Sequence, residues 1–149
     1  MKSKVKNIMS ANPQSCTPDA SIQEAATLMD QSDCGAIPVV ETNGARRAVG
    51  IVTDRDIACR AVAMGKGPDT KVSECMSRGL ATVGLDSSVE ECCSAMEKSK
   101  VRRMLVLDAD GELCGIVSQA DVAIHLSRNK IAEVVKEVSQ PAEEPAIEF

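Results

Sequence analysis

One stretch of this chain occurs twice, and that duplication limits the available folds more than any other feature. Gly50-Ile51-Val52-Thr53-Asp54-Arg55-Asp56 returns as Gly115-Ile116-Val117-Ser118-Gln119-Ala120-Asp121. Each copy holds a glycine, two β-branched residues, a small hydroxyl, two variable positions and an aspartate. Gly-Ile-Val reads as the end of a buried strand. The hydroxyl, followed three residues on by the aspartate and then by Ile57-Ala58 or Val122-Ala123, reads as a capped helix start. A strand running straight into a helix N-terminus gathers free N–H groups and the positive end of the helix dipole, which favours an anion such as phosphate. The same spacing is also that of a plain capping box, and both readings stay open.

The duplication reaches well beyond this motif. At a constant offset of 67, Val5 falls on Val72, Met9 on Met76, Asp19 on Asp86, Ser21 on Ser88, Glu24 on Glu91, Met29 on Met96 and Gly44 on Gly111. From Gly50 and Gly115 onward the offset is 65, so the first copy carries two extra loop residues. Each unit is longer than a usual solenoid repeat. Val5 to Met9 and Val72 to Met76 are short apolar-spaced turns, followed by extended pieces around Ser15-Cys16-Thr17 and Thr82-Val83-Gly84. Ser21-x-x-Glu24 and Ser88-x-x-Glu91 then open helices whose Ile22, Ala25, Ala26 and Met29, or Val89, Cys92, Cys93 and Met96, share one face. A hairpin follows, from Ile37-Pro38-Val39-Val40 to Ala48–Val52 and from Met104-Leu105-Val106-Leu107 to Leu113–Val117. Asn43-Gly44 and Asp110-Gly111 mark its turns. Closing helices start near Asp54 and Gln119, with Ile57, Ala58, Ala61 and Val62, or Val122, Ala123 and Leu126, expected inward.

The expected fold class is therefore α/β, more closely α+β: two β-α-β-β-α units packed as a pseudo-two-fold pair, since one unit alone buries too little apolar surface. Residues 1–64 form the first unit, 65–71 a Gly- and Pro-containing linker, 72–128 the second unit, and 129–149 a helical extension and mobile tail. In that extension Ile131, Val134, Val135 and Val138 share one helical face, suited to internal packing or to docking a partner.

Bulk properties exclude several classes. Apolar residues make up 44% and charged residues 26% of 149, the balance of an ordinary globule. The apolar runs are far shorter than the roughly 20 residues that span a bilayer. No signal-peptide stretch follows Met1-Lys2-Ser3-Lys4, so a cytoplasmic protein without membrane insertion is expected. The net charge of −5 and scattered basic residues argue against nucleic acid. Phe149 is the only aromatic residue, so any flat ring bound here must lie between aliphatic side chains. The seven cysteines lack a Cys-x-x-Cys spacing and read as packed thiols, with the adjacent Cys92-Cys93 pair leaving redox sensing open. His125 has no catalytic companions, and neither a phosphate-cradling glycine loop nor a metal-binding cluster is evident, so no enzyme activity is expected.

Taken together, the Val-x-x-Ile/Cys-Met start, capped helix, Pro-Val-Val or Leu-Val-Leu strand, Asn-Gly or Asp-Gly turn and Gly-Ile-Val-Thr/Ser-x-x-Asp finish closely resemble a tandem pair of CBS (cystathionine β-synthase) domains, the Bateman module. The resemblance covers residues 5–126. It implies a non-catalytic regulatory module that needs no cofactor and holds an adenosyl ligand, an adenine nucleotide (AMP, ADP or ATP) or S-adenosylmethionine, in clefts between the repeats. Carried over, Asp56 and Asp121 would bond ribose hydroxyls, with Thr53 and Ser118 beside them at ribose or phosphate. Adenine would lie among Ile37, Val39, Ile51, Met104, Val106 and Ile116, residues that also suit plain core. Family members often place phosphate-contacting basic residues where this chain has Lys100-Val101-Arg102-Arg103, so Arg102 and Arg103 are candidates, with Arg55 a further one; the first copy has Asp33-Cys34-Gly35-Ala36 instead. The resemblance also implies a disk-like homodimer acting on a separate, unidentified effector protein. The competing reading is a structural or interaction module with empty clefts.

Overall fold

The computed structural model describes the backbone of residues 3–139 and the side chains of residues 3–129. Its elements are β1 (Ser10–Ala11), α1 (Ile22–Ser32), β2 (Ala36–Val40), β3 (Ala48–Thr53), α2 (Asp54–Ile57), β4 (Thr82–Gly84), α3 (Val89–Ser99), β5 (Arg103–Leu107), β6 (Leu113–Ser118) and α4 (Gln119–Ser139). α2 continues into a π-helical turn, Ala58–Val62, and single 3-10 turns lie at Val5–Asn7 and Val72–Glu74. This is the mixed α+β pair that the duplication implies. No described helix is long and apolar enough to cross a membrane.

Local sequence accounts for the first helix of each copy. Ser21 Oγ accepts from the Glu24 N–H and Ser88 Oγ from the Glu91 N–H, each at 3.1 Å. Ile22, Ala25 and Met29 are buried along α1, and Val89, Cys92 and Met96 along α3. Each helix ends in a left-handed residue, Asp33 or Lys100. Ser88→Ala is expected to destabilise the chain by about 1 kcal/mol in urea unfolding, whereas Ser94→Ala, at an exposed position in the same helix, should cost nothing.

The two hairpins are equivalent down to a bulge, at Val49 of β3 opposite Val39 and Val40, and at Cys114 of β6 opposite Val106 and Leu107. Alternation along the strands divides their side chains between two faces. Ile37, Val39 and Val52 pack under α1, and Met104, Val106 and Val117 under α3. The opposite faces meet each other: Val40, Ala48 and Ile51 of the first copy pack against Leu80, Leu105, Leu113 and Ile116 of the second.

The copies also exchange their beginnings. Val5 is fully buried in the second copy's core, and its N–H donates to Ser87 O at 2.8 Å. Val72 is fully buried in the first copy's core, and its N–H donates to Ala20 O at 2.8 Å. β1 pairs antiparallel with β6, completing a four-stranded sheet in the order β1-β6-β5-β4, and Ser77 makes the corresponding bridge to Ile51 of β3. Lys4 and Lys6 flank Asp86 at 3.6 and 3.3 Å across the same junction. The hydrogen bond from Lys6 and the two positive charges hold that carboxyl below its usual range.

Two expectations change. The extended piece at Ser15-Cys16-Thr17 is reduced to a single parallel bridge from Cys16 to Val39, whereas its counterpart β4 pairs along β5. The closing helices bury less than their apolar pattern suggests: Ala58 and Ala123 are exposed, Val62 is 65% and Leu126 42% exposed, and Ala61 and Val122 carry the buried contact. Helix α4 does run on through Ser139. The side chains of Ile131, Val134, Val135 and Val138, and the tail from Gln140, lie outside the described residues.

Candidate functional site

Both closing motifs fold as reciprocal capping boxes. In the first, the Thr53 N–H donates to Asp56 Oδ2 at 3.0 Å and the Asp56 N–H to Thr53 Oγ1 at 3.1 Å. In the second, the Ser118 N–H donates to Asp121 Oδ2 at 2.8 Å and the Asp121 N–H to Ser118 Oγ at 3.1 Å. Each box engages one carboxylate oxygen. The other oxygen of each aspartate can still accept hydroxyl hydrogen bonds.

The glycine that opens each motif is required by the opposite copy. A Cβ at Gly50 would lie 2.8 Å from Met76 Sδ and 2.9 Å from Ser77 O; one at Gly115 would overlap Met9 Sδ and lie 3.1 Å from Ser10 O. The exchanged segment therefore passes directly over the strand that delivers each aspartate.

The apolar candidates fall into two groups. Ile51 and Ile116 lie on the face between the copies and are partly buried. Ile37, Val39, Met104 and Val106 occupy the helix-facing side at 1%, 0%, 3% and 0% exposure, where they form core. Strand alternation forces that division, since a residue next to an interface-facing position must point the other way.

The basic candidates gather at the second motif. Arg103 stands opposite Ser118 in the β5/β6 register, and Arg102 O accepts from the Gln119 N–H at 2.7 Å; both side chains are exposed. In the first copy, Ala36 stands opposite Thr53 and Gly35 O accepts from the Asp54 N–H at 3.0 Å. A groove of about 520 Å³ opens there, lined by Asp30, Asp33, Cys34 and Asp54 among others. Arg55 is exposed, and its own N–H donates to Asp54 Oδ1 at 2.8 Å. One motif thus has a cationic flank and the other an acidic one.

These two motifs, their paired hairpins and the exchanged starts correspond to a known domain, whose family model matches residues 5–61 and again 72–128. The chain belongs to the CBS domain family. It is 39% identical over 130 residues to the CBS domain-containing protein YhcV of Bacillus subtilis, covering 87% of this chain and 90% of YhcV. Among solved structures, it resembles the CBS domain pair of protein MJ0100 in complex with 5′-methylthioadenosine and S-adenosyl-L-methionine, with a TM-score of 0.76 and 28% identity over 87% of this chain and 99% of that one. It also resembles CBSX2 in complex with AMP, with a TM-score of 0.72 and 25% identity over 85% of this chain and 98% of that one.

The structure of this CBS pair adds residues that motif reading passed over. Arg60, one helical turn beyond Asp56, places Nε 3.8 Å from Asp56 Oδ1 and donates through Nη1 to Cys75 O at 3.1 Å, Met76 O at 3.4 Å and Ser77 Oγ at 3.4 Å. Arg46, in the longer first-copy loop, donates to Leu113 O at 3.3 Å and Pro13 O at 3.2 Å. The Asp56-x-x-x-Arg60 spacing was the available signal for the first; Arg46 had none. A further groove of about 800 Å³ lies along α1, with Ser15, Thr17, Ser21, Glu24 and Asp69 on its walls. Neither groove is lined by Asp56 or Asp121.

Cys16, Cys75 and Cys92 are packed thiols and Cys93 and Cys114 are partly buried, whereas Cys34 and Cys59 are exposed, against the expectation. Cys16 is pushed up to about 11 by burial and then by Glu24. Burial is also the leading cause that raises Cys75, Cys92, Cys93 and Cys114. Thiols shifted this way resist forming the reactive thiolate. Cys92 and Cys93 are consecutive in α3; Cys92 is buried in the core, and Cys93 Sγ lies 3.7 Å from Glu97 Oε1. Their helical backbone directs them roughly 100° apart about the axis, the wrong geometry for a bond between neighbours.

Proposed function

We propose that this chain is a non-catalytic regulatory module that binds an adenosyl ligand, an adenine nucleotide or S-adenosylmethionine, at its closing motifs and signals to a separate effector protein. The observation that carries this reading is the pair of boxed carboxylates at the junction between the copies, each with one oxygen outside its capping box, that of Asp56 facing Arg60. Ile51 and Ile116 supply aliphatic surface for a base in a chain that has no aromatic platform. The cationic flank of the second motif suits a phosphorylated ligand, through Arg102 and Arg103, whereas the acidic groove beside the first suits an uncharged adenosyl group. AMP in CBSX2, and 5′-methylthioadenosine and S-adenosyl-L-methionine in MJ0100, support the ligand class. Ligand contacts made to both copies would shift their relative packing, and the effector would read that shift.

The test is thermal unfolding with AMP, ADP, ATP and S-adenosylmethionine on the wild type, Asp56→Ala and Asp121→Ala. A ligand at about 100 times its Kd should add roughly 2.7 kcal/mol, a rise of several degrees in Tm. The Asp121→Ala variant is expected to lose the shift for AMP, with affinity falling about tenfold or more. Equal shifts in all three proteins would remove the carboxylates from the site.

A second reading rests on Val62, Met64, Ile124 and Leu126, which are 42–70% exposed on or just beyond the closing helices. These apolar side chains favour pairing with a second copy through those helices, and an interaction role that persists without ligand. Effector or self-association unchanged by both aspartate substitutions would favour that reading.

A further inference from the structure

The two CBS motifs differ one turn past their aspartates. With the offset of 65 that relates the closing halves, Arg60 of the first copy corresponds to His125 of the second. Asp56 is 14% exposed, and the oxygen not engaged by its capping box faces the Arg60 guanidinium at 3.8 Å. The far end of the same guanidinium is held by Cys75 O, Met76 O and Ser77 Oγ, all from the segment that the second copy lays over β3. Arg60 lies within the π-helical turn Ala58–Val62, a local winding often found where a helix aims a functional side chain. The second motif has none of this. His125 Nε2 lies 3.0 Å from Asn129 Nδ2 on its own helix, and Asp121 has no ion pair among the described residues.

We propose that Arg60 is a built-in competitor for the carboxylate of the first motif and a strap between the copies, so that the two adenosyl sites are unequal and the one at Asp121 fills first. A guanidinium bonded at its far end to the Cys75-to-Ser77 segment sets its positive charge 3.8 Å from the acceptor that a ribose hydroxyl would need. Ligand entry at Asp56 must draw Nε off the carboxylate, and the same movement loosens Nη1 from the Cys75-to-Ser77 segment. Filling the first site therefore releases a contact that pins the second copy's exchanged start onto β3. Occupancy of the second site involves no such release, which gives the pair a graded response to one ligand.

The inference rests on the ligand reading above, and two measurements separate them. In unliganded protein, Arg60→Met should speed amide exchange at Ser77 and Ile51, which bond each other across the junction at 2.8 and 3.0 Å, by about threefold to tenfold. The Asn12 amide, bonded to Cys114 O beside the equivalent Ser10–Ile116 pair in the other half, should not change. An unchanged Ser77 amide overturns the strap whether or not any ligand binds. Calorimetric titration with AMP and with adenosine in an Asp121→Ala background then isolates the first site. Arg60→Met should tighten both ligands about threefold or more, and Arg60→Lys should return part of the competition. Unchanged affinity overturns the competition; so does a loss for AMP alone, which would make Arg60 a phosphate ligand. If neither AMP nor adenosine binds the wild type or any variant, the ligand reading fails and the site inequality fails with it, whereas the exchange result stands by itself.

Discussion

The second copy expressed alone, as residues 65–139, is expected to show no cooperative thermal transition. Its core is completed by a residue it does not contain, since Val5 is fully buried there and reaches it from the other end of the chain. It also loses β1, leaving the outer edge of β6 unpaired. Conversely, Val72 is fully buried in the first copy's core and would become exposed in the fragment. Each fully buried valine represents roughly 1.5–3 kcal/mol, a large share of the stability available to so small a unit. Mixing in residues 1–64 at equal concentration should restore a transition followed by far-UV circular dichroism. A fragment that melts cooperatively near the temperature of the whole chain would show that the exchange of starts is dispensable.

The second large effect belongs to the close approach at the motif glycine. Gly115→Ala is expected to cost about 2–3 kcal/mol and lower Tm by about 8 °C. The added methyl meets the flexible end of Met9, which can move, and Ser10 O at 3.1 Å, which can move only with β1. Gly50→Ala should behave similarly, because its Cβ would lie 2.9 Å from Ser77 O. Gly67→Ala, with nothing within 4 Å of the new methyl, should be close to neutral or slightly stabilising through the unfolded chain. Met9→Ala placed beside Gly115→Ala should recover only part of the loss, a coupling that chemical denaturation can measure as a double-mutant cycle. Full recovery would remove the Ser10 carbonyl from the explanation.

Much of the candidate site was legible because it is local. A hydroxyl and an acid three residues apart make the same two hydrogen bonds wherever a strand turns into a helix, so Thr53, Asp56, Ser118 and Asp121 take up the paired geometry that their spacing implies. The adjacency of Arg102 and Arg103 to the second motif is nearly as local, since it follows from the register of one hairpin. The aliphatic walls were harder to read. Ile37-Pro38-Val39-Val40 is apolar throughout, and a strand buried on both faces carries no period to tell the core side from the interface side. Ile51 and Ile116 lie between the copies because the opposite faces of both hairpins were taken up by their own helices.

By itself, the sequence determined the two-copy organisation, the capped first helices, the hairpins with their Asn-Gly and Asp-Gly turns and the boxed aspartates. These depend on contacts a few residues apart, whose preferences are written in side-chain type and spacing. Only the tertiary structure decided which copy each start packs on, because an offset of 67 is the same whether Val5 lies over its own hairpin or its neighbour's. It likewise decided that Arg60 spans from Asp56 to the Cys75-to-Ser77 segment while His125 turns to Asn129. A guanidinium whose acceptors lie 15 to 17 residues further along the chain depends on how the two copies are stacked, and stacking is a property of the packed faces as a whole.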